Sequence, residues 1–78
     1  MNRFRTVEAE TDRPTHLLDG EDVALLALLA QGVSGQRLAR ELGYSSATVR
    51  RRVHTVRAKT ETRTTLQAVV VAVRAGLV

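Results

Sequence analysis

A helical rhythm of apolar positions runs from Asp19 to the end of the chain and breaks at three places where glycine or a polar cluster interrupts it. Leu25, Leu26, Leu28 and Leu29 form a broad apolar face, preceded by Asp19 and closed by Gln31 and Gly32, and so predict a first helix over 20–31. Asp19 can cap its free amides, and Asp22, three positions on, completes an acidic variant of the capping box. Ser34 then caps a short second helix over 35–42 with Leu38, Ala39 and Leu42 facing inward, and Gly43 ends it. Ser45 opens a third helix over 46–59. There Val49, Val53 and Val56 recur at i, i+4 and i+7 as a buried stripe. With roughly 100° between successive positions, Ala47, Arg51, His54 and Ala58 lie opposite, Arg50 and Thr55 on the shoulders, and Thr48, Arg52 and Lys59 on one flank.

A polar stretch over 60–65 leads to a last segment, 65–75, that is apolar on nearly every side. Its β-branched Val69, Val70, Val71 and Val73 would also suit a strand. Ala68, Ala72 and Ala75 dilute them and Gly76 is placed as a stop, which favours a helix. Three short helices cannot bury a fourth that is hydrophobic all round, so Leu66, Val69, Val70 and Val73 are expected to form the interface of a two-fold homodimer. Residues 1–17 carry no sustained period and hold the only proline, Pro14. They read as a disordered or loosely docked arm, with Phe4 and Val7 as its apolar anchors, ahead of a single domain over 18–78.

Composition removes several classes of function. The 78 residues hold one small core and no cysteine, so neither a disulfide nor a thiolate metal site is available. His16 and His54 stand far apart without neighbouring ligands, so no metal is expected. No carboxylate pair, nucleophile with a base, or phosphate loop appears, which argues against an enzyme, a cofactor or a small-molecule substrate. The longest apolar run is far short of the roughly twenty residues of a membrane span, and no apolar segment follows Arg3 and Arg5 as in a signal peptide. The expected location is the cytoplasm.

Charge sharpens the picture. The net +4 hides a separation: six of the eight acids lie in the first 22 residues, while Arg50, Arg51, Arg52, Arg57, Lys59 and Arg63 fall within fourteen positions opposed only by Glu61. Such a face attracts polyanions, because each neutralised phosphate releases counterions. The passage from Leu38 to Val53 therefore reads as a helix, a tight turn at Gly43 and a second helix bearing three consecutive arginines, which is how a helix-turn-helix appears in sequence.

This pattern resembles the LuxR-type (GerE/NarL-like) bacterial helix-turn-helix domains over 18–78. The resemblance rests on residues 28–34, on Leu38 to Ser45, on Ala47 to Arg50, and on Gln67-Ala68-Val69 with the terminal Ala75-Gly76-Leu77. It implies an all-α, four-helix domain whose third helix enters the DNA major groove and whose fourth makes the dimer contact. By position, it implies base-edge contacts from Arg50, Arg51 and His54, and phosphate contacts from Ser45, Thr48, Arg52 and Lys59. Arginine chemistry suits either role, since its fork pairs with guanine or with phosphate.

Some positions depart from the family pattern. Arg37 and Ala24 stand where an acid is common, Arg52 where a histidine is frequent, Thr60 and Thr62 where apolar residues are usual, and Glu61 where glycine is usual. The substitutions over 60–62 imply weaker packing of the third helix on the fourth. The expected function is a sequence-specific, dimeric transcriptional regulator with double-stranded DNA as its partner and RNA polymerase as a further one. Met1 and the family-like end at Val78 suggest a stand-alone regulator. The rival is a protein-interaction module, similar to the last region of a sigma factor or to a small antagonist, pairing through the fourth helix with a larger regulator.

Overall fold

The computed structural model describes residues 15–78, which form four α-helices and no strand. Helix α1 spans Gly20–Ala30, α2 Gly35–Leu42, α3 Ser46–Lys59 and α4 Thr65–Arg74. The anchors Phe4 and Val7 lie outside the described residues. Of the expected arm, Thr15–Leu17 are among the described residues and make a 3-10 turn in which the Leu18 amide donates to the Thr15 carbonyl at 3.0 Å. Leu18 itself packs on the core.

Each helix begins on a side chain that accepts from an otherwise orphaned amide. The Asp19 carboxylate accepts from the Asp22 amide at 2.8 Å and the Asp22 carboxylate accepts from the Asp19 amide at 3.0 Å, closing the acidic capping box. Ser34 accepts from the Arg37 amide at 3.2 Å and Ser45 from that of Thr48 at 3.1 Å. At α4, Thr64 accepts from the Gln67 amide, and the Gln67 side chain reaches back to the amides of Thr64 and Arg63.

Helix ends decide the crossing angles. After α2 the backbone turns left-handed at Gly43, φ +70°, and the Tyr44 amide donates to the Ala39 carbonyl at 2.8 Å. Only residues 43–45 then separate α2 from α3. The same turn follows α3, but Glu61 supplies the positive φ of +55°, and the Thr62 amide donates to the Arg57 carbonyl at 2.9 Å. A side chain in this conformation is disfavoured, and glycine is the residue that would adopt it without strain.

Helix α1 packs against all three others, and α3 against α2 and α4. The core is aliphatic: Leu25 and Leu26 from α1, Leu38 and Ala39 from α2, Val49 and Val56 from α3, Ala68 and Ala72 from α4. Thr60, expected to weaken the packing of α3 on α4, is a buried polar residue with its hydroxyl satisfied. It has no exposed surface, and its hydroxyl donates to the Val56 carbonyl at 2.8 Å while pairing with that of Thr62 at 3.0 Å. A threonine nearly isosteric with valine fits this site because the last turn of α3 supplies its acceptor.

Two stability measurements follow. Leu26→Ala, which empties a fully buried site, is expected to cost about 2–5 kcal/mol in urea unfolding. Glu61→Gly is expected to be about 1 kcal/mol more stable than Glu61→Ala, a comparison in which both variants lose the side chain's own contacts and only the backbone penalty differs.

Candidate nucleic-acid interface

Helix α3 divides as its periodicity predicts. Val49 and Val56 are buried and Val53 half-buried, while Arg50, Arg51, His54, Ala47 and Ala58 are exposed on the other side. No acid occurs anywhere on this helix. The structure thus brings the three expected base-contact residues onto one open surface, next to the short turn that positions the helix. Ser45 and Thr48 sit at its first turn, where the Ser45 hydroxyl donates to that of Thr48 at 2.9 Å in addition to accepting its amide.

Arg52 and Lys59, expected at phosphates, are partly exposed and pair with acids at the start of α1. Asp22, with no exposed surface, pairs with Lys59 Nζ through Oδ2 at 2.6 Å and with Arg52 Nη2 through Oδ1 at 3.4 Å. Arg52 Nη2 also meets Glu21 at 2.9 Å, and both cations approach Asp19 at 3.9 and 4.0 Å. Tyr44 adds a brace: its hydroxyl donates to Glu21 at 3.2 Å, and the Arg52 guanidinium lies 6.0 Å from its ring centroid. These two cations are therefore occupied within the fold, tying α3 to the start of α1. The physical reason is that a buried carboxylate must be answered by positive charge, and Arg52 and Lys59 are the cations within its reach.

A signal for this network exists in the sequence. Asp22 lies on the apolar face of α1, at i, i+3, i+4 and i+7 with Leu25, Leu26 and Leu29, so an acid had to go into the core. Its capping role masked that second one. Asp19 shows the electrostatics of the site: the Asp22 amide holds its carboxyl below the ordinary value, against an opposing push from desolvation, and Lys59 and Arg52 add to the lowering. Desolvation and the bond to Glu21 push the Tyr44 hydroxyl up.

Along one stripe of α4, Leu66 is 72% exposed, Val73 51% and Val70 38%, while Leu77, past the left-handed turn at Gly76, is exposed as well. Val69, expected in the same interface, is partly buried and packs against the core. The groove beside this stripe, lined by Glu61, Thr62, Arg63, Leu66, Gln67, Val70 and Val71, is open to solvent. Among the described residues, no helix is long and apolar enough to cross a membrane and no three acids or histidines gather as a metal site.

Asp22→Asn, which keeps the volume and removes the charge, is expected to cost about 3 kcal/mol in chemical unfolding, since it removes the buried partner of two half-buried cations and leaves them only the exposed Glu21 and Asp19. Asp19 contributes stability that is fully present above its ordinary value of 3.8 and is lost as pH falls through its lowered value in the fold. The stability of Asp19→Ala is accordingly expected to decline less steeply than that of the parent chain in that acidic range. No known protein family, curated protein or solved structure matches this chain.

Proposed function

We propose that this chain is a sequence-specific DNA-binding regulator of transcription, a LuxR-type helix-turn-helix domain that acts as a homodimer in the bacterial cytoplasm, associated with the nucleoid. The observation that carries this reading is the division of α3: a valine stripe locks one side into the core while Arg50, Arg51 and His54 stand exposed on the other, on a helix without a single acid. A helix held that way can enter the major groove and present donors to base edges, with arginine pairing to guanine O6 and N7. Helix α2 braces it through the turn at Gly43. Ser45 and Thr48 place hydroxyls and the positive end of the helix dipole where a phosphate can approach.

The stripe Leu66, Val70 and Val73 supports the dimer, since an exposed apolar band along one helix face can pair with itself across a two-fold axis. A symmetric dimer would place two copies of α3 on half-sites about one helical turn apart, and RNA polymerase is the natural further partner of such a complex. The same stripe would serve the rival reading, a module that docks on a larger regulator.

Selection from a randomised duplex pool, followed by anisotropy titration and sedimentation, tests the proposal. A dimer that enriches a pseudo-palindromic sequence is expected; a monomer that enriches none belongs to the rival reading. Arg51→Ala is expected to lose about 1–3 kcal/mol at one base position and to relax the preference there. Val73→Asp, on the exposed stripe, is expected to shift the chain to monomer in sedimentation while leaving its helical content intact.

A further inference from the structure

The two flanks of α3 are electrically unequal. On one, Asp19, Glu21 and Asp22 answer Arg52 and Lys59, so little of their charge is left to attract an anion. On the other shoulder, Arg50, His54 and Arg57 recur at i, i+4 and i+7 and form a continuous line. Arg63 joins that line from the loop after α3. Its carbonyl accepts from Arg57 Nη1 at 3.1 Å, and Arg57 Nη2 meets His54 Nδ1 at 3.4 Å. A carbonyl and a ring nitrogen orient the guanidinium without cancelling its charge, and so reduce the entropy lost when it grips a ligand.

His54, Arg57, Ala58, Thr62 and Arg63 together line a shallow, open depression. Helix α4 begins two residues beyond Arg63 and adds the positive end of its peptide dipole to the two guanidinium groups. With Arg52 and Lys59 answered by the acids of α1, the remaining positive charge of α3 and the loop after it falls on Arg50, Arg51, Arg57 and Arg63. An open dent flanked by two arginines suits the paired oxygens of a phosphodiester, which a guanidinium fork matches in shape and charge.

We propose that Arg57 and Arg63 form a clamp for a backbone phosphate of duplex DNA, on the shoulder of α3 opposite Arg52 and Lys59. The clamp rests on the DNA-binding reading above and assigns the anchoring of α3 beside its groove. Register on the duplex then comes from Arg57 and Arg63, while Arg52 and Lys59 hold the helix in place from within.

The test is the salt dependence of binding to a short mixed-sequence duplex, read by anisotropy for the parent chain, Arg57→Gln, Arg63→Gln and the double variant, with circular dichroism following the fold. Each substitution is expected to reduce the slope of log affinity against log salt by about 0.9 and to weaken binding roughly fivefold near physiological salt. Arg57→Lys is expected to restore most of the slope, which a purely structural role in holding the Arg63 carbonyl would not predict. Should Arg57→Gln unfold, the exposed Arg63→Gln decides alone. Parent-like slopes in folded variants overturn the clamp and leave the DNA-binding reading standing. A parent chain with no duplex affinity at any salt overturns both.

Discussion

A carboxylate without exposed surface, Asp22, joins the first turn of α1 to two positions on α3 that are seven residues apart. The rest of the arrangement depends on this contact. An ionised acid in an aliphatic core is tolerated only where cations reach it, and Arg52 and Lys59 can both do so only if α3 lies across α1 at one rotation and one height. The valine stripe alone would permit α3 to slide or roll by small amounts over a core built of leucine, valine and alanine. The paired charges remove that freedom, and in doing so they set which residues of α3 point away from the fold.

The same contact gives α3 two unlike flanks. Acids gathered near the start of α1 neutralise one side, so the field of the molecule is concentrated on Arg50, Arg51, Arg57 and Arg63. Nearby acids do more than balance the count of charges. They decide where an anion can be attracted, and they keep the cations beside them from competing for it. Tyr44 belongs to this economy as well, since one side chain at the turn braces both Glu21 and Arg52.

At the end of α3 the fold shows how local chemistry substitutes for an expected residue type. Thr60 fills a buried site because the Val56 carbonyl, which already takes the Thr60 amide at 3.0 Å, also accepts its hydroxyl. Glu61 takes up the left-handed turn that glycine would adopt without strain. The joint between α3 and α4 is consequently closed by a hydrogen bond and a strained residue, and α4 is left with its apolar stripe facing outward.

Much of this was legible in the residues themselves. The extents of all four helices follow from caps and periodicity, because an N-terminal serine, threonine or aspartate and the stop at Gly43 act on neighbours only a few positions away. The division of α3 into a buried and an exposed face follows equally from its 3.6-residue repeat. What the sequence left open was the pairing of Asp22 with Arg52 and Lys59, thirty and thirty-seven positions distant, and the partial burial of Val69 against the core. The gathering of His54, Arg57 and Arg63 around one depression was equally open. Periodicity states which face a residue is on and capping states where a helix begins, both local properties. Which opposite charge a buried acid meets depends on how the helices cross, and only the packed tertiary structure decides that.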